Sequence, residues 1–183
     1  MSGVRWVVVG VSGSPASIRA LRVAAWHARR ADAPLLAVHA WLPPGGDLAE
    51  RRYSAPELRA SWKRAAIERL QDAIGSAWGG PPLDVRVEHV IARGQTGPVL
   101  LDIAGSPEDL LVVGAGRRGT VTRLWSGRVT RYCQARAQCP VLVVPPPALP
   151  DSRPNRLNAW SFRRRELTAD QVMRELEKLG PAG

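Results

Sequence analysis

Short runs of β-branched and aliphatic residues punctuate this chain, at 4–11, 35–41, 85–91, 110–113 and 141–144, and segments with helical spacing separate them. That alternation is the strongest constraint on the fold. Apolar runs of this length suit buried strands. Strands joined by helices run parallel, because right-handed crossovers lay the helices over the sheet. The expected class is therefore α/β, a parallel sheet with helices on both faces.

Local signals place the elements. Ser14 caps a first helix with Pro15 at its first position, and Ile18, Leu21, Ala25 and Ala28 recur on one face, leaving Arg19, His27 and Arg30 to solvent. Ala33-Pro34 ends that helix, and strand two follows. Ser54-Ala-Pro-Glu57 fits a capping box, with Leu58, Trp62, Ala66, Leu70 and Ile74 down one face of the longest helix. In 85–91, Val85, Val87, His89 and Ile91 alternate with polar residues, the pattern of a half-exposed strand near a sheet edge. A short helix over 96–104, a strand at 110–113, a helix over 127–137 and a strand at 141–144 complete the core.

Composition narrows the function classes. At 183 residues the chain holds one core domain and an appendage. Its 26 Lys and Arg against 16 Asp and Glu give a formal charge of +10, which favours anionic partners unless the arginines merely cover solvated helix faces. No stretch has the length of an apolar membrane span and the start does not resemble a signal peptide, so a soluble, cytoplasmic protein is expected. Cys133 and Cys139 form no metal pattern and are expected as buried free thiols. Trp6, Trp26, Trp62 and Trp78 are expected to pack in the core or between helices. Trp125 either lines the crevice described next or packs at the sheet edge or a dimer mate.

Residues 112–130, VVGAGRRGTVTRLWSGRVT, run from strand four through a glycine-rich loop to Gly127, just before the expected helix. Such a loop lets backbone approach a ligand, and the free N–H groups of a helix start attract anions. Arg117, Arg118, Arg123 and Arg128 lie within it. In a doubly wound sheet, ligands bind beyond the carboxyl ends of the strands where strand order reverses. If strands one and four are neighbours, this loop meets the turn Val11-Ser12-Gly13-Ser14-Pro15 there. The chain has no GxxxxGK[ST] pattern and no lysine in the loop, and His39 on strand two reads as a packed strand residue. No catalytic residue is assigned.

VVVGVSGSPAS in strand one and its turn, LLAVHAW in strand two, LLVVGAGRRG in strand four and its loop, and CPVLVV in strand five together resemble the universal stress protein family, in register over residues 4–146. The resemblance implies a five-stranded parallel sheet of order 3-2-1-4-5 and a homodimer, commonly formed through the last strand, Val141–Val144. It also implies an ATP or other adenine-nucleotide site in some members. Those members carry an aspartate after strand one, and a loop of Gly, two residues, Gly, nine residues, Gly, then Ser or Thr. The corresponding positions here are Val11, Ser12, Gly13 and Ala40 on the nucleoside side, and Gly114, Arg117, Gly127, Arg128, Val129 and Thr130 on the phosphate side. Gly114 and Gly127 match, whereas Ser12 replaces the aspartate, Arg117 the second glycine and Arg128 the hydroxyl residue.

Two readings follow. In one, Arg117 and Arg128 form a fork for phosphate, and the protein is an ATP-binding, slowly hydrolysing stress-response switch. In the other, the site is degenerate or altered and the protein is a binding or adaptor module without enzyme activity. The joint loss of the aspartate and the glycine chemistry favours the second. Arg128, placed in a first helical turn, is expected to need an anion nearby. Residues 1–146 are assigned to the core domain, 147–155 to a proline-rich linker and 156–183 to a C-terminal extension. Its short amphipathic helix of Val172, Met173, Leu176 and Leu179 has a protein partner or its own dimer as expected contact. Nothing resembles an RNA-stacking motif, so nucleic acid is not an expected partner, nor is a membrane.

Overall fold

The computed structural model describes residues 3–43, 56–79, 84–115 and 123–147, with only the backbone of 123–126. Ser54, Arg117, Arg118 and the expected extension lie outside the described residues, as does the expected linker beyond Pro147.

The strands are β1 (Val7–Gly10), β2 (Leu35–Trp41), β3 (Val87–Arg93), β4 (Leu110–Gly114) and β5 (Val141–Val144). All pair in parallel, in the order β3-β2-β1-β4-β5. Val8 at the sheet centre lies opposite Leu36 on one side and Leu111 on the other. The helices are α1 (Pro15–Ala31), α2 (Pro56–Trp78), α3 (Thr96–Ile103) and α4 (Arg123–Arg136).

Alternation along β1 divides the core in two. Val7 and Val9 face a cluster with Leu21 and Ala25 of α1 and Leu70 and Ile74 of α2. Val8 faces the opposite cluster, with Leu100 of α3 and Cys133 of α4. Val7, Val8 and Val9 are fully buried, each contributing about 1.5–3 kcal/mol of apolar transfer. Arg5 clamps the amino ends of β1 and β4 together, donating Nε and Nη2 to the two oxygens of buried Asp109 at 2.9 Å.

The helix ends follow local chemistry. Ser14 accepts the Ser17 N–H at 3.2 Å with Pro15 in the first turn of α1. At the other end Asp32 takes the left-handed conformation at φ 50°. Gly79, at φ 77°, ends α2 by donating its N–H to Gly75 O at 2.7 Å.

Four expectations are corrected. Strand one begins at Val7 rather than at residue 4, because its pairing with β2 opens at Val7 opposite Leu35, and Pro34, just before, has no N–H to carry the ladder further back. Strand three is displaced to Val87–Arg93, its pairing running to Trp41 and Arg93. The fourth helix begins at Arg123, four residues before the glycine that the loop pattern marked as its start. A single glycine costs a helix only about 1 kcal/mol, so Gly127 does not stop it from extending backwards. Finally, Trp26 does not pack in the core. It is 49% exposed on α1, with the Arg30 guanidinium 4.9 Å from its ring centre.

Among the described residues no helix is long and apolar enough to cross a membrane.

Candidate functional site

Strands β1 and β4 are neighbours, so the reversal of strand order lies at their carboxyl ends, beside the turn 11–14. Val11 is buried and extends the β1 pairing, its N–H reaching Val38 O at 2.8 Å. The turn then closes on itself. Ser12 N–H donates to Ser17 Oγ at 3.2 Å, Ser12 Oγ to Ser14 Oγ at 3.1 Å, and Ser17 Oγ to Ser14 O at 2.9 Å. Gly13 sits at φ 79°, a conformation L side chains rarely adopt, and the stem of Arg69 from α2 lies over it. The hydroxyl at position 12 is thus engaged within the α1 cap.

Gly114, at the end of β4, faces the same turn. A Cβ there would lie 2.7 Å from the Ala16 carbonyl carbon and 2.9 Å from Ser17 N, both backbone atoms that cannot move aside. Glycine is required because the strand end packs directly on the first turn of α1. Ser17 therefore links Ser12 and Gly114, and the structure brings these two expected positions together. The next residue, Ala115, donates its N–H to Val144 O at 2.7 Å.

Ala40 lies half-buried near the end of β2, opposite Ala92. Its neighbour His39 is 4% exposed, and Nδ1 lies 2.7 Å from Val11 O. A carbonyl only accepts, so Nδ1 carries the proton and Nε2 presents a lone pair. Among the described residues Nε2 has no partner. Burial, opposed by the Val11 hydrogen bond and reinforced by the nearby Arg69 charge, holds the His39 pKa below its usual value. His39 is therefore a packed strand residue, as expected, that also ties β2 to the turn.

The phosphate-side positions differ from the expectation. Gly127 and Arg128 stand in the second turn of α4, since the helix starts at Arg123. Their N–H groups are consumed by the i to i−4 ladder, and the free donors belong to the residues that open the helix. Arg128 is exposed and is not in the first turn, so its position no longer demands an anion. Gly127 O accepts from Arg131 Nε at 3.2 Å. Val129 packs against the α3 and α4 core. Thr130 is buried, and its Oγ1 has no partner among the described residues. Arg117 lies outside the described residues, as does the Trp125 side chain.

Neither cysteine is poised as a nucleophile. Both are buried free thiols, and burial pushes Cys133 up to about 11 and raises Cys139 also. Among the described residues no cluster of His, Cys, Asp and Glu could hold a metal ion.

The sheet order defines a doubly wound α/β protein. Residues 3–145 match the universal stress protein family, and the chain belongs to that family. A universal stress protein of Mycobacterium tuberculosis is 33% identical over 141 residues, spanning 75% of this chain but 43% of that protein. The chain thus spans less than half the length of that relative. A universal stress protein of Thermus aquaticus is 31% identical over 141 residues, covering 96% of that protein. Among solved structures, a universal stress protein in complex with cAMP is 25% identical with a TM-score of 0.51, over 80% of this chain and all of that one. The universal stress protein UspA of Lactobacillus plantarum shares the fold at 22% identity and a TM-score of 0.58, over 79% of this chain and 99% of that one.

Two features escaped the sequence reading. Arg22 reaches from α1 to the end of α2, donating to Ala77 O and Ser76 O at 2.9 Å each. Arg69 crosses Gly13 from α2. Both depend on how two helices separated by a strand are set side by side, and no local spacing signals that.

Proposed function

We propose that this protein is a dimeric universal stress protein module that works by binding, as an adaptor, with an adenine-nucleotide site altered beyond the family's ordinary use. The observation that carries this reading is the start of α4 at Arg123. It takes the N–H groups of Gly127 and Arg128 into the helix ladder, where they are not available to a phosphate. Ser12 adds to it, since its hydroxyl is held in the α1 cap and supplies no carboxylate for a ribose. For dimerisation the support is β5, an edge strand in which Val141, Leu142 and Val143 remain half-buried. No enzyme activity is assigned.

One observation favours a second reading. Thr130 Oγ1 and His39 Nε2 are buried without partners among the described residues, at or next to positions that resemble nucleotide contacts, and a relative's structure holds cAMP. On that reading Arg117 and Arg128 take over the phosphates of ATP. Calorimetric titration with ATP and Mg²⁺ separates the two. We expect no binding up to millimolar ATP. Tight binding that is lost in Arg128→Ser would establish the switch instead.

A further inference from the structure

The outer face of α1 carries Arg19, Arg22, Val23, Trp26 and Arg30, a stripe spaced by three and four residues along the helix. Half the surface of Trp26 is open to solvent, and a groove of about 590 Å³ runs beside it, lined by Val23, Trp26, Arg19, Arg22 and Pro147. The groove wall is mostly apolar and its rim is cationic. Helix α1 contains four arginines and no acidic residue. Arg29 pairs with Asp84, but the other three have no carboxylate partner among the described residues. Arg19 donates to Pro145 O and Pro146 O at 3.3 and 3.1 Å, Arg22 to the carbonyls ending α2, and Arg30 lies over Trp26. These guanidiniums are thus engaged by carbonyl oxygens or by a ring, and among the described residues no carboxylate offsets their charge.

A fixed cationic rim around an aromatic groove has two requirements of an occupant. It must offer bulky apolar side chains for the groove, and it must carry carboxylates about one helical turn away to meet the arginines. An amphipathic helix satisfies both with residues spaced by three and four. A nucleic acid fits less well, because one face of the Trp26 ring is already stacked by Arg30 and the arginines stand along a convex helix. We propose that this face of α1 docks an acidic amphipathic helix of a partner protein. The proposal rests on the reading of the protein as a binding module, but it concerns a surface of α1 rather than the crevice, so the ATP titration and the test below fail independently.

The test uses the full chain and a fluorescein-labelled helical peptide of about 18 residues, with leucine on one face and glutamate on the flanks. Fluorescence anisotropy should show saturable binding that a peptide of scrambled order does not reproduce. Trp26→Ala and Arg30→Glu, both changes at exposed positions, should each weaken binding by about tenfold while the thermal melt stays in place. Equal binding of the scrambled peptide would overturn the proposal, as would indifference to both substitutions. So would displacement of the peptide from the groove by single-stranded RNA, or binding that emerges only after the residues beyond Pro147 are removed.

Discussion

His39 has each ring nitrogen in a different environment, and this makes it a sensor of protonation for the fold. Nδ1 donates to Val11 O, whereas Nε2 is buried, so adding a proton to the folded ring is costly. The folded pKa lies below 6.5, the value for an ordinary histidine. Above 6.5 the ring is neutral folded and unfolded, and it contributes no pH dependence. As pH falls below 6.5 the unfolded chain takes up the proton first, so stability is lost towards acid. Urea denaturation midpoints measured on either side of pH 6.5 should therefore fall with pH in the wild type, and His39→Gln should flatten that slope. An unchanged slope in the variant would remove His39 as its source. The role of His39 as a packed strand residue was legible in LLAVHAW, because it follows from the strand alternation. Its bond to Val11 was not, since that depends on β2 lying beside β1.

At the level of elements, the strands were more legible than the loop ends. Leu35–Trp41 and Val141–Val144 stand where their apolar runs place them, because buried parallel strands leave a continuous β-branched signature. Helix α4 departs from the pattern because a glycine has two meanings, a helix stop or a tolerated interior residue, and only the surrounding packing decides between them. Val129 and Cys133 anchor the helix on the α3 side of the sheet, and from there it continues back to Arg123. With Gly127 inside a helix and no close neighbour at the position of an added Cβ, the substitution Gly127→Ala should stabilise the protein by about 0.5–1 kcal/mol. A thermal melt reads this directly. Destabilisation by the same change would place Gly127 in a turn instead. The meeting of the turn 11–14 with Gly114 was legible, because it follows from β1 and β4 being neighbours, whereas the close packing that demands glycine at 114 was not.

For the whole molecule, the doubly wound sheet brings Ser12 and Gly114 together and makes β5 an edge strand. Sedimentation equilibrium should find a dimer. Leu142→Glu on β5 should convert it to monomer, with circular dichroism confirming that the fold persists. A monomeric wild type, or a dimer indifferent to that substitution, would remove the β5 interface. On the proposed reading, the N–H groups at Gly127–Thr130 belong to a helix rather than to a ligand. Amide hydrogen exchange with and without ATP and Mg²⁺ decides between the two. Protected amides from Gly127 through Thr130 are expected in the free protein, unchanged by nucleotide. Amides there that exchange freely and become protected only when ATP is added would contradict that reading.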